Sequence, residues 1–264
     1  MDYLKGYRVA REDPEWTSKL LIGSLIFLSS MVIPLVGQLA LVGWQALIMR
    51  RAVHGQDTPM PRLEFDMDYL GKLVGLGFKG LIARFLWSLP VIVLVFGSIM
   101  CLYFAFFAMI FGGVAVAAEG GNSGLAALGP VAAMCCMFVG YFSVMVLAIV
   151  AAIPANVAAM RAELCDDLAP AMKFGEVMDF TKKNFGELFK GMLILGVVGS
   201  ILGMIGSFFC FVGVFPVAVL GMVAHAHFLA QVYQQHVQNG GDPLPVAGPE
   251  LDVPRPPANP PQNF

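Results

Sequence analysis

Residues 85–118 read FLWSLPVIVLVFGSIMCLYFAFFAMIFGGVAVAA, and this stretch decides the fold. It contains no Asp, Glu, Lys or Arg. A helix needs about 20 consecutive, mostly apolar residues to cross about 30 Å of hydrocarbon, and apolar runs in soluble cores are usually shorter. The stretch is therefore predicted to be helix inside a membrane.

Three further runs lack these charged residue types, at residues 20–49, 125–160 and 191–238. Hydrophobic residues make up 58% of the chain and charged residues only 13%, which lies outside the range of ordinary globular proteins. We therefore predict an all-α, polytopic integral membrane protein. Membrane lipid is its expected surrounding, and nucleic acid is not an expected partner.

Two of the runs contain helix breaks. A helix of about 30 residues is about 45 Å long, so the runs are too long for single straight spans. Pro34 with Gly37 interrupts the first run and Gly213 with Pro216 interrupts the last, because proline removes a backbone hydrogen-bond donor. The sequence predicts a helical hairpin, a long central helix pair and a second helical hairpin. The hairpin at 20–49 either spans the membrane or is re-entrant.

Basic residues are concentrated in the polar N-terminal segment 1–19 and in segments 50–84 and 161–190. The linker at 119–124 contains no Lys or Arg. Loops rich in Lys and Arg stay on the cytoplasmic side of a membrane. We therefore expect a multipass protein of a prokaryotic cell membrane, with cytoplasmic basic loops if that membrane is the inner one. The outer membrane is the alternative.

Two segments combine an apolar and a charged stripe at helical spacing, at residues 68–85 and 174–190. Helices of this kind lie in the membrane interface with the charged face in water. We therefore predict two interfacial amphipathic helices. The side chains expected to contact lipid or the interface are Lys72, Lys79, Arg84, Lys183, Lys190, Phe78 and Phe189.

A strip of glycines runs along the last apolar run. Gly196, Gly199, Gly203 and Gly206 recur every three or four residues, so they share one helix face. Such a face allows a second helix to approach closely. The strip is predicted to pack against another helix, either within the chain or between the subunits of a homo-oligomer.

Five polar side chains in the apolar runs are candidate sites. They are Gln38, Gln45, Asn156, His225 and Gln231. Polar side chains of this kind join membrane helices by hydrogen bonds, which is the predicted role. The alternative role is to line a path for a neutral solute. Since the runs hold no charged residue to bind a coupling ion, coupled transport of protons or sodium is not expected.

No catalytic residue, cofactor or metal is expected. The five cysteines lack the CxxC spacing of metal or redox sites, and His225 and His227 point to nearly opposite sides of a helix. The chain has no phosphate-binding glycine loop, HExxH or GxSxG motif, so an enzyme is not expected. The proline-rich segment 239–264 is predicted to be disordered, or else to be a ligand for a cytoplasmic partner.

Residues 43–90 contain several short motifs. They are Gly43-Trp44, Arg50-Arg51-Ala52-Val53, the turn Gly55-Gln56-Asp57-Thr58-Pro59-Met60-Pro61, then Gly77-Phe78-Lys79-Gly80-Leu81 and Pro90. Together they resemble an uncharacterised family of multipass membrane proteins of bacteria and archaea, catalogued as a domain of unknown function. The likeness covers roughly residues 16–235. It implies an all-helical membrane fold and no particular activity.

These features favour a non-enzymatic membrane protein that self-assembles into a homo-oligomer and engages or encloses lipid. The alternative function is a transporter or channel for a neutral or amphipathic solute.

Overall fold

The computed structural model describes residues 1–31, 33, 35–118, 123–208 and 212–251. Within these ranges the chain is helical and contains no strand. The helices are α1 (Lys5–Glu12), α2 (Trp16–Ser29), α3 (Val36–Val53), α4 (Met67–Ala118), α5 (Ser123–Cys165), α6 (Ala169–Met172), α7 (Phe174–Ser207) and α8 (Val214–Gln238).

Helices α4, α5, α7 and α8 are long and apolar enough to cross a membrane. Much of the apolar surface of α4, α5 and α7 is exposed, as at Phe104 on α4 and Phe138 on α5, each about three-quarters exposed. Such surface is stable in hydrocarbon and unfavourable in water. The predicted class, an all-α multipass membrane protein, is confirmed.

Both predicted breaks separate helices. The first lies between α2 and α3, where Leu35 has a φ of 77° and Gly37 packs against the backbone oxygen of Ile26. Pro34 itself lies outside the described residues. The second lies between α7 and α8, where Gly206 and Gly213 pack backbone to backbone. A side chain at Gly37 would push α2 and α3 apart, and one at Gly206 or Gly213 would push α7 and α8 apart.

The two amphipathic segments differ from the prediction of separate interfacial helices. Residues 68–85 and 174–190 are the first turns of α4 and α7, and each continues without a break into an apolar span. The glycines that follow Lys79 and Lys190 are helical packing positions. Gly80 lies against Glu163, and Gly191 lies against the ring of Phe228. Neither glycine ends its helix.

The chain forms two units. Unit 1 comprises Met1–Arg84 and Asn156–Phe264, and unit 2 comprises Phe85–Ala155. Helices α4 and α5 each contribute to both units. Every Lys and Arg of the sequence belongs to unit 1, and residues 85–155 contain none.

Helix α8 lies at the centre of unit 1, where α1, α2, α3 and α7 pack against it. Its buried face includes Val223, Phe228 and Leu229, and the facing part of α3 includes the fully buried Trp44 and Leu47. Within a membrane such contacts stabilise the fold mainly by van der Waals packing. The fold of unit 1 therefore depends on α8.

The first part of the proline-rich segment differs from the predicted disordered tail. The backbone N–H of Leu244 donates to the hydroxyl of Tyr233 at 2.8 Å, and that of Ala247 donates to the carbonyl of Leu164 at 2.8 Å. The segment through Leu251 is therefore docked on unit 1. The later prolines, from 254 onward, lie outside the described residues.

Close contact between α3 and α4 depends on two glycines. Gly43 rests on the backbone of Leu73, and Gly77 rests on the backbone oxygen of Leu39. Neither position has room for a Cβ atom, because the nearest atom of the facing helix is backbone.

We expect Gly77→Ala to lower the free energy of unfolding by about 1–3 kcal/mol, because the added methyl forces α3 and α4 apart. Denaturant unfolding of the purified protein in detergent measures this change. Gly75→Ala is the matched control, since Gly75 lies on the same helix with open space beside it. That variant should be neutral or stabilising by up to about 1 kcal/mol, and equal losses in both variants would contradict the packing explanation.

Candidate functional site

A buried ion pair lies at the start of α2. Lys19 is 4% exposed and Asp13 is 1% exposed, and the Lys19 Nζ lies 2.9 Å from the Asp13 Oδ2. The ammonium group also donates to the carbonyl of Met60 at 2.9 Å, and the backbone N–H of Met60 donates to Asp13. Because a buried charge is tolerated only when it is paired and hydrogen-bonded, this pair fixes the turn 55–61 against α2.

The turn 55–61 also contacts three other helices. Asp57 accepts a hydrogen bond from Lys5 of α1 at 2.7 Å and lies 3.5 Å from His227 of α8. The indole N–H of Trp44 on α3 donates to the carbonyl of Pro61 at 3.2 Å. The turn therefore joins α1, α2, α3 and α8.

A pocket of about 360 Å³ lies beside this turn. Its walls come from the start of α2, the end of α3, residues 59–62, Tyr69 and the docked residues 249–251. Three basic side chains line it, namely Lys19, Arg51 and Arg62. Arg51 donates to Glu250 at 2.9 Å, and the guanidinium of Arg62 lies over the ring of Tyr69 at 4.4 Å. We call this site the basic pocket.

A second charged cluster joins α3, α4 and α5. The Nε of the buried Arg50 donates to the carbonyl of Glu163 at 2.7 Å, and Arg50 and Lys79 both approach Asp166, at 3.7 and 2.6 Å. Burial lowers the pKa of Arg50, and the negative charges of Asp166 and Glu163 act in the opposite direction. Arg161 pairs with Glu176 and so ties α5 to α7.

The charged residues of α5 were missed by the sequence analysis. The predicted apolar run ends at residue 160, whereas α5 continues to Cys165 and buries Arg161 and Glu163. The local sequence around Arg161 and Glu163 gives no sign of burial, because the helices that cover these residues come from elsewhere in the chain. The side chain of Glu163 lies against Gly80 of α4, and its backbone carbonyl accepts a hydrogen bond from Arg50 of α3.

The predicted lipid or interface residues do not form one site. Lys72, Phe78 and Phe189 are exposed on α4 and α7, and Lys79 is bound to Asp166. On α7, Lys183 pairs with Asp179 at 2.7 Å and Lys190 lies 3.8 Å from Glu187. Arg84 is half-buried on α4.

Two of the predicted polar residues come together. Gln45 of α3 and His225 of α8 are hydrogen-bonded, with 3.0 Å between the amide nitrogen and the imidazole Nδ1. Gln231 bonds to the backbone of Asp2, Gln38 is exposed and Asn156 is half-buried. Gln45 and His225 therefore join α3 to α8, whereas Gln231 joins α8 to the N-terminal residues.

The predicted glycine strip divides into two parts. Gly206 packs against Gly213 within the chain. Gly196, Gly199 and Gly203 have open space where a Cβ would stand, and Val197 and Ile201 beside them are each 52% exposed. This part of α7 is an apolar surface with a shallow, small-residue centre.

An apolar groove of about 630 Å³ lies between α4 and α5 in unit 2. Its floor is made of small residues, including Gly97, Cys101 and Gly140, and Leu102 packs over Gly140. Ser98 also lines the groove, but its hydroxyl donates to the carbonyl of Leu94 at 2.7 Å. The groove therefore presents a surface suited to an aliphatic chain.

No group of three His, Cys, Asp or Glu side chains suited to a metal ion occurs among the described residues. A family model described as "Protein of unknown function (DUF4013)" matches residues 26–211, well over half of the chain, including the turn 55–61. No curated protein and no solved structure matches the chain. The resemblance to an uncharacterised family is thus confirmed.

We expect Asp13→Asn to lower the free energy of unfolding by about 3 kcal/mol or more, because it leaves the Lys19 ammonium buried without its counter-charge. Denaturant unfolding in detergent measures the loss. Glu15→Gln is the control, since Glu15 lies 3.7 Å from the same ammonium but its side chain is 72% exposed. Its effect should stay below about 0.5 kcal/mol. An unchanged Asp13→Asn protein would show that the ion pair does not stabilise the turn.

Proposed function

The chain belongs to the family described as protein of unknown function (DUF4013), and we propose that it is a non-enzymatic membrane protein that binds lipid and self-assembles into a homo-oligomer. The groove between α4 and α5 is the observation that carries the proposal. Its residues are apolar or have their polar atoms bonded within their own helix. An acyl chain is the occupant that this surface fits, because water gains no hydrogen bond there.

Self-assembly is supported by the exposed part of the glycine strip. Among the described residues, no helix packs against Gly196, Gly199 and Gly203. Close contact between small residues is a main source of helix association in lipid, where the hydrophobic effect does not distinguish helix from lipid. A second copy of α7 fits this surface.

The location of basic residues supports one orientation. All Lys and Arg belong to unit 1, whereas the apolar helices of unit 2 carry none. We place the basic segments of unit 1 on the cytoplasmic side of a prokaryotic cell membrane, by the positive-inside rule.

The rival function is transport of a neutral or amphipathic solute. It is supported by the hydrogen bond between Gln45 and His225, which brings two polar groups together between α3 and α8. Solute flux into liposomes that disappears in Gln45→Ala would favour transport over lipid binding.

Two leucine variants separate lipid binding from assembly. Gly97→Leu fills the groove, so we expect most co-purified lipid to be lost while the oligomer persists. Gly199→Leu blocks the close approach of α7, so we expect monomers that retain lipid. Both glycines have open space beside them and leucine favours helix, so each variant is the other's control. Native mass spectrometry in mild detergent reports both results, and a lipid-free, monomeric wild-type protein would contradict the proposal.

The orientation is tested with reporter fusions in a bacterial host. Alkaline phosphatase fused after Gly124 should be active, because this linker is expected outside the cytoplasm. Green fluorescent protein fused after Gln238 should fluoresce, because the end of α8 is expected inside. The opposite pattern for the two reporters would overturn the proposed orientation.

A further inference from the structure

Arg51 has an unused hydrogen-bonding capacity in the basic pocket. The residue is only 9% exposed, so most of its guanidinium is withdrawn from water. Its Nη1 donates to Glu250 at 2.9 Å, but its buried Nε has no hydrogen-bond partner among the described residues. A buried donor without a partner is unfavourable. The position therefore favours an acceptor that offers more than one oxygen.

The charges around Arg51 depend on the docked segment 249–251. Lys19 is neutralised by Asp13, which leaves Arg51 and Arg62 in the pocket with Glu15 and Glu250. Release of Glu250 would leave an excess of positive charge. Arg51 belongs to α3, so the helix holds its backbone in place whether or not Glu250 is bound.

Glu250 is suited to leave the pocket. Its side chain is 72% exposed although it pairs with a buried arginine. Among the described residues, the last backbone hydrogen bond that anchors the segment to a helix is the one from Ala247 to Leu164. Glu250 lies beyond that anchor, so its carboxylate can be displaced without disturbing α8 or α5.

We propose that the basic pocket binds a phosphate group through Arg51, and that Glu250 is a built-in competitor that occupies the arginine in the unliganded protein. Two phosphate oxygens match the edge of the guanidinium that carries Nε and Nη2, while Glu250 on Nη1 opposes a second anion through its negative charge. The phosphate is either free or part of a lipid headgroup. The site is separate from the groove between α4 and α5, because all its residues belong to unit 1.

Calorimetric titration of the full-length protein in nonionic detergent tests the proposal. The probes are inorganic phosphate and a short-chain phosphatidic acid, with the matching phosphatidylcholine as the lipid control. Glu250→Gln should bind phosphate about three- to fivefold more tightly, since a mostly exposed ion pair is lost. Arg51→Gln should bind at least about tenfold more weakly, since a charge-assisted pair of hydrogen bonds is lost.

Asp242→Asn is the matched control for Glu250→Gln, because it removes the same charge from the same segment outside the pocket. It should leave affinity unchanged. Tighter binding of inorganic phosphate by Glu250→Gln and weaker binding by Arg51→Gln identify a site for the free ion. If only phosphatidic acid gives these two changes, the site is one for a lipid headgroup.

Two results would overturn the proposal. One is the absence of saturable binding of either phosphate probe by both the wild type and Glu250→Gln. The other is equal affinity in the wild type and Glu250→Gln, which shows that Glu250 does not compete. Because Glu250 is exposed and its substitution should not affect folding, these results stay interpretable even if Arg51→Gln is unstable.

Discussion

The ion pair between Lys19 and Asp13 is the interaction on which the organisation of unit 1 depends. Both side chains are buried, and both also bond to the backbone of Met60. A buried charge requires a partner, so the pair holds α2 and the turn 55–61 in one arrangement. Through Asp57 and Pro61 the same turn contacts α1, α3 and α8. The basic pocket exists because this turn is fixed beside the end of α3.

The two units differ in their charge composition. Unit 2 has apolar helices without Lys or Arg, and its groove offers an aliphatic surface. Unit 1 holds the charged side chains and uses several of them to join helices, as Arg50 and Arg161 do. This division suits a protein whose apolar part contacts acyl chains and whose charged part lies at or near a membrane surface. Between residues 85 and 155 the sequence contains no Lys or Arg, and its one charged residue is Glu119.

Much of the fold was predictable because membrane constraints act locally along the sequence. Long apolar runs, and the breaks between α2 and α3 and between α7 and α8, followed from hydropathy and from proline and glycine. The amphipathic segments were recognised, but not their continuity with the following spans. Gly80 and Gly191 lie inside their helices, and each packs against a residue distant in sequence. The docking of residues 242–251 was missed for the same reason, since Tyr233 and Leu164 supply its partners.

The sequence by itself determined the membrane class, the all-helical architecture and the family, because these depend on composition and on short motifs. The tertiary structure decided which charged residues are buried and what they face. Arg51 and Glu250 are 199 residues apart in the sequence, and Gln45 and His225 are 180 residues apart. No local pattern reports such pairs, because a side chain's environment is set by helices that fold against it from elsewhere in the chain. The candidate sites therefore emerged only when α3, α8 and the C-terminal segment were seen together.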